Sequence, residues 1–142
     1  MKRFAALILL ALFFCTSSCA EDLKADLDLT LLSGNILMNA SDEIQSSPER
    51  YAGQTVRLQG QFYASVSENQ IRRSLILTEC SGNTCREIGM KLVPAEGFDP
   101  VWPENNAFIE ITASIQEAES AYGTKIPVLH VLSVRAVSSS SD

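Results

Sequence analysis

The sequence predicts a mainly β domain, a small five-stranded closed barrel preceded by one short amphipathic helix. Three observations predict it. After Thr55, apolar and polar residues alternate over several long runs, the period-two signature of strands buried on one face. Clusters of Gly, Asn, Ser and Pro punctuate those runs. Ahead of them, apolar residues recur at helical spacing between Gly34 and Ser47.

The N-terminal residues carry an address. Lys2 and Arg3 form a positive start, and Phe4 to Phe14 is an apolar run too short for a permanent membrane span. Cys15, Thr16, Ser17, Ser18, Cys19 and Ala20 follow as small residues. Charge, apolar stretch and small residues in that order predict a secretory signal peptide over residues 1–19. Two cleavage readings compete. Thr16-Ser17-Ser18-Cys19 is similar to a bacterial lipobox, although Thr16 stands where Leu is usual; cleavage before Cys19 would leave its thiol to carry a lipid. Alternatively, Ser18-Cys19-Ala20 is a small-x-small site, and cleavage after Ala20 would release a soluble periplasmic or secreted chain at Glu21. The lipidated reading is favoured, because a lone Cys at such a junction is otherwise hard to explain. It predicts membrane attachment through the lipid anchor. In a cell with two membranes, Ala20 after the modified Cys resembles an outer-membrane sorting signal, with the domain facing the periplasm.

Lys and Arg number 11 and Asp and Glu 17 in the 142 residues, and two of the basic residues, Lys2 and Arg3, lie in the leader. The exported part therefore carries a net charge of about −8 at neutral pH, counting the single His as neutral. So acidic a chain is a poor fit to phosphate backbones, which argues against nucleic acid as partner. It argues equally against polybasic attachment to anionic lipid.

The remaining elements follow in order. Residues 20–26 read as a charged tether, and 27–137 as the folded domain. Asp26 to Thr30 alternates and suits a short edge strand. Ile36, Leu37, Ala40 and Ile44 form the apolar stripe of a helix over 34–47, with Ser33 as N-cap and Pro48 as stop. In Thr55 to Ala64, Val56, Leu58, Gly60, Phe62 and Ala64 share the inward face, and mid-strand Gly60 marks a bend or a close backbone approach. Ile71 to Thr78 is a second strand with Leu75 and Leu77 inward. Cys80 to Cys85 is a hairpin tip. Ile88 to Val93 is a third strand, and proline-rich Pro94 to Asn106 an irregular connection. Ala107 to Gln116 places Ala107, Ile109, Ile111, Ala113 and Ile115 inward. Lys125 to Val137 is the last strand, and 138–142 a disordered tail. Five strands that close on themselves leave no exposed edge to aggregate. The OB-like barrel is the natural candidate. One feature is off pattern: OB barrels usually carry a helix between the third and fourth strands, where this chain has prolines. The helix before the first long strand would plug the barrel end instead.

Leu27-Asp28-Leu29-Thr30-x-Leu32-Ser33, followed by Pro48-Glu49-Arg50-Tyr51-x-Gly53-x-Thr55-Val56-Arg57-Leu58-x-Gly60-x-Phe62, resembles a family of small uncharacterised exported bacterial proteins, often lipoproteins, with an OB-fold-like domain. Gly89-Met90-Lys91-Leu92 and Trp102-Pro103-Glu104-Asn105-Asn106 are more loosely similar to a later strand and turn of that family. The resemblance spans roughly Leu27 to Val134. It implies fold and address and no particular chemistry. The family often has adjacent cysteines before the third strand; here Cys85 stands at the first and Arg86 replaces the second. Asn106 stands where the family has a turn glycine, and Asn is the side chain best able to replace glycine in a left-handed conformation.

Candidate sites are few. Outside the cytosol Cys80 and Cys85 can form a disulfide, and Gly82 and Asn83 between them let the tip fold back. A hairpin staple is favoured over a redox couple, because four intervening residues lack the Cys-x-x-Cys spacing at a helix start that activates a thiol. A metal site would need Cys80, Cys85 and His130, and no metal is expected if the cysteines bond each other. His130 shares an apolar face with Ile126, Val128, Leu132 and Val134, which suits a neutral core histidine. Arg57, Arg72, Arg73 and Tyr63 lie on or near the first strands, the surface OB-like barrels use for ligands; Arg86 lies nearby. Balance of the arginines against the neighbouring Glu68, Glu79 and Glu87 is the favoured reading of these charges. Tyr63, Trp102 and Tyr122 could stack a ligand or cap barrel ends. No nucleophile motif, catalytic residue, phosphate loop or cofactor signature appears. The sequence thus predicts a non-enzymatic binding or assembly module of the cell envelope, taking a protein partner or small ligand. The alternative is a thiol-redox or metal-handling envelope protein using Cys80, Cys85 and His130.

Overall fold

Alternation in the sequence becomes a single rolled sheet in the computed structural model, which describes residues 23–138. The predicted signal peptide, Cys19 and the tail from residue 139 lie outside the described residues. The elements run β1 (Leu27–Asp28), a 3-10 turn (Leu29–Leu31), α1 (Gly34–Ser46), α2 (Pro48–Tyr51), β2 (Thr55–Ser67), β3 (Gln70–Ser81), β4 (Thr84–Pro94), β5 (Phe108–Glu119) and β6 (Lys125–Ala136). The strand order is β1-β2-β3-β4-β6-β5, and β2 also pairs with β5. That last pairing closes a five-stranded barrel. β4 and β6 are its one parallel pair, while β1 is an extra strand laid parallel to β2.

Barrel closure depends on β2 serving two neighbours. Its first half pairs with β5 from Thr55↔Ser114 to Gln61↔Phe108, and its second half pairs with β3 from Gln61↔Ile76 onward. Gly60 sits at the changeover. A Cβ there would come 2.7 Å from the Ile76 carbonyl oxygen and 3.0 Å from Leu75. Only glycine lets the strands approach so closely.

The inward faces match the alternation. Val56, Leu58, Phe62, Leu75, Leu77, Met90, Leu92, Ile109, Ile111, Ala113 and Ile115 are all buried in one core. Removing each large side chain from water contributes roughly 1.5–3 kcal/mol. One end of the barrel is covered by α1, which packs against β3, β4 and β6. The opposite end is covered by the connection from β4 to β5, where Phe98 and Trp102 pack onto the core. This proline-rich segment stands where an OB barrel usually carries its helix.

Several expectations are corrected in detail. The helix buries Ile44 and packs Leu37 and Ala40 on the core as predicted, but the stripe is shifted at its edges. Met38, Ser41 and Ile44 are buried, while Ile36 is 67% exposed. Ser41 faces inward without cost because its hydroxyl donates to the Leu37 carbonyl at 2.8 Å. Ser33 stands at the N-cap position without a side-chain cap bond. Pro48 stops α1 and also opens α2 as its first residue, where the missing N–H is no loss. The predicted edge strand Asp26–Thr30 contracts to two residues, because Leu29 turns inward through the 3-10 turn. His130 is half-buried on the outer face and is not in the core. Leu129 and Val131 are the inward pair of β6, and a bulge at Thr112/Ala113 leaves Leu132 without a partner. That bulge shifts parity, so Val134 points inward although His130 points outward.

Candidate functional site

A concavity opens where β4 parts from β3. The ladder between them runs from Ser81↔Thr84 to Arg73↔Leu92 and then ends. Beyond it, Val93 and Pro94 pair with His130 and Val131 of β6, while Gln70, Ile71 and Arg72 pair only with β2. The wedge between the diverging strands has a volume of about 610 Å³ and is lined by Gln70–Ser74 and Lys91–Pro94. That is within the usual range for small-molecule and peptide sites.

Three cations surround this wedge: Arg72, Arg73 and Lys91. Among the described residues, none of the three has a carboxylate within 4.0 Å, whereas every other described cation except Lys24 does. Arg73 is the most fixed of them. Its guanidinium lies over the Trp102 ring at 4.8 Å, and Trp102 stacks on Phe62 at 5.5 Å. A cation–π contact of this kind contributes about 1 kcal/mol and leaves the guanidinium N–H groups free to donate. Trp102 is thereby occupied as a support and is not offered to an incoming ring. Asn105 holds the same loop in place: Ala64 N–H donates to its side-chain oxygen at 2.7 Å, and its Nδ2 donates to the Ala64 carbonyl at 3.0 Å. Asn106 next to it has φ +70°, the left-handed conformation expected of it.

Past Asn105, β2 and β3 continue as a two-stranded ribbon. It turns at Glu68 and Asn69, both with positive φ, the mark of a type I′ hairpin. Val66 and Ile71 face each other across the ribbon and are 75% and 56% exposed. Tyr63, 49% exposed, stands opposite Ser74, which in turn pairs with Lys91. By alternation, Val66, Ile71 and Arg73 point to one face of these strands and Tyr63, Arg72 and Lys91 to the other.

Not all of the residues singled out in the sequence meet there. Arg72 and Arg73 line the wedge and Tyr63 lies beside it. Arg57 lies on the other half of β2, about 26 Å along the strand from Ser65, the partner of Arg72. Its role is structural. It donates to the Leu23 carbonyl at 2.7 Å, lies 3.5 Å from Asp28 and 3.9 Å from Glu110, and its Nε is buried without a hydrogen-bond partner. Glu110 also accepts from Gln59 and Arg135, each at 2.8 Å. One partly buried network therefore fastens β1, β2, β5 and β6. Arg86 is paired with Asp42 of α1 and not with the neighbouring glutamates.

Cys80 and Cys85 are bonded as a disulfide across the β3–β4 hairpin, their Cα atoms 4.0 Å apart. Gly82, with φ +62°, makes the turn between them. His130 pairs with Val93, about 26 Å along β4 from Cys85. The three residues do not converge. Among the described residues, no group of three or more His, Cys, Asp and Glu side chains is arranged to hold a metal, and no helix is long and apolar enough to cross a membrane.

Lys91 is the wedge residue that the sequence reading left out. Its position on a strand of alternating character was legible; its place opposite Ser74, and so beside Tyr63, depends on a register that only the fold defines. No family model and no curated protein matches the chain.

Proposed function

We propose that this chain is a non-enzymatic binding module of the cell envelope, held to a membrane through a lipid on Cys19, that takes an anionic ligand at the wedge between β3 and β4. The single observation that carries the binding reading is the set of Arg72, Arg73 and Lys91, which share one concavity without carboxylate partners in an otherwise acidic domain. Native proteins pair most of their charges, and cations gathered in one place without partners favour an arriving anion. The address rests on the leader sequence and the resemblance to exported lipoproteins.

The test is crosslinking and affinity capture from native membranes. The unaltered protein should retain a partner or ligand in the membrane fraction. Arg72→Glu/Lys91→Glu should lose it while remaining membrane-bound. Cys19→Ala should move the protein to the soluble fraction. If the Arg72→Glu/Lys91→Glu protein keeps everything that the unaltered protein captures, the wedge is not the binding face.

A further inference from the structure

The shape of the wedge narrows the ligand class. We infer that its occupant is an extended acidic peptide segment of another protein, adding as a strand to the open edge of β3. This rests on the reading of the wedge as a binding site.

Three observations converge on a polypeptide. First, β3 from Gln70 to Arg72 has a partner on its β2 side only. A strand exposes backbone N–H and C=O groups along such an edge, and another strand is what satisfies them. β4 from Thr84 to Met90 and β3 from Leu77 to Ser81 also have one strand partner each, and the stretch from Gln70 to Arg72 is set apart by the cation-lined wedge beside it. Second, side chains of both chemical kinds line the opening. Ile71, Val93 and Pro94 supply apolar surface, and Arg72, Arg73 and Lys91 supply charge. An extended chain presents alternate residues to opposite sides. A segment alternating acidic and apolar residues therefore matches both. Third, the aromatic support is unavailable for stacking. Trp102 is engaged by Phe62 and Arg73, which leaves Tyr63 as a lone exposed ring beside the wedge where a single-stranded nucleic acid would need successive platforms. The acidic balance of the domain opposes a polyphosphate backbone as well.

The geometry also explains why β4 turns away at this point. Pro94 has no N–H to give a ladder partner, and the Ala95 N–H is committed to the Val131 carbonyl at 3.0 Å. β4 is thereby drawn toward β6, and β3 is left with its outer edge bare.

Binding of fluorescent short peptides to the full chain in detergent micelles tests the inference by anisotropy. The probe alternates glutamate and valine. Controls are the same peptide N-methylated on alternate residues, a lysine–valine peptide, an oligothymidylate and vesicles of anionic phospholipid. The glutamate–valine peptide should bind and should weaken as salt rises. N-methylation, which removes edge hydrogen bonds, should weaken it about tenfold or more. Arg72→Glu/Lys91→Glu should do the same, and Arg73→Lys should weaken it less. Trp102 is held by Arg73 and Phe62, which the double variant keeps, so its melting temperature should stay near that of the parent. Binding of the N-methylated peptide as tightly as the parent would overturn strand addition. Preference for the oligothymidylate or the vesicles, lost in the double variant, would overturn the peptide while leaving the wedge as a binding face. Equal binding of every probe by the double variant and the parent would overturn both.

Discussion

At the scale of single residues, backbone geometry sets the sharpest constraints. Gly60→Ala should cost about 2 kcal/mol, because the added carbon meets a carbonyl oxygen in a sheet that cannot easily yield. Chemical denaturation checks it, and an unchanged midpoint would show that β2 and β3 can separate there. The opposite sign is expected at Glu68. Its φ of +49° places a residue with a Cβ in the left-handed region, which penalises ordinary residues by roughly 1–2 kcal/mol. Glu68→Gly should therefore raise the melting temperature, offset partly by the entropy glycine loses on folding. Gly60 was legible as a bend from its place in a strand, and Asn106 as a left-handed residue from its chemistry. His130 was not, because a bulge shifts the parity of its strand and nothing in the local sequence announces a bulge. Tyr51 gives a pH signature. Its hydroxyl bonds to Glu43, which raises its pKa above the ordinary tyrosine value. The folded state holds that proton more tightly than the unfolded chain does. The contribution is thus complete below about pH 10 and fades as pH climbs beyond. Tyr51→Phe should flatten that alkaline part of the stability curve.

At the scale of elements, the strands were readable and their ends were not. Alternation identified β2, β3, β4 and β5 by their buried faces, since half-buried strands must alternate. The hairpins run longer than the apolar stripe, because strand pairing continues into the ribbon at Val66 and Ile71 where burial has stopped. α1 was found from its period, and Leu37, Ala40 and Ile44 of its predicted stripe do face the core, but the edges of that stripe were misjudged. Ile36 faces water while Met38 and Ser41 go inside, a choice made by where the helix docks on β3, β4 and β6. The Cys80–Cys85 bridge closes a small loop at a sequence separation of 5. Loop-closure entropy gives it about 2 kcal/mol. Reduction should lower the unfolding free energy by that amount and leave the far-ultraviolet dichroism of the barrel in place. Loss of sheet signal on reduction would mean that the hairpin nucleates the barrel.

At the scale of the whole molecule, the architecture was legible because closure is the economical answer for a few long strands with one apolar face each. The binding wedge was only half legible. Arg72 and Arg73 stand out in the sequence, yet nothing local separates them from Arg57, which serves the opposite end of the barrel as a clamp. Arg57→Ala should cost about 2 kcal/mol, since it removes a charged hydrogen bond to the Leu23 carbonyl and the cation that lies between Asp28 and Glu110. Its ligand capture should be normal once the protein is folded, and a capture defect equal to that of the wedge variants would join the two ends functionally.

The grip of Arg57 on the Leu23 carbonyl has a mechanical corollary. Leu23 is four residues beyond Cys19, a stretch that spans at most about 14 Å when fully drawn out. A lipid on that cysteine would moor the barrel close against the bilayer with little freedom to roam. Lengthening this stalk with glycine and serine should then let the wedge reach targets farther from the membrane, and co-capture of such targets would measure the gain.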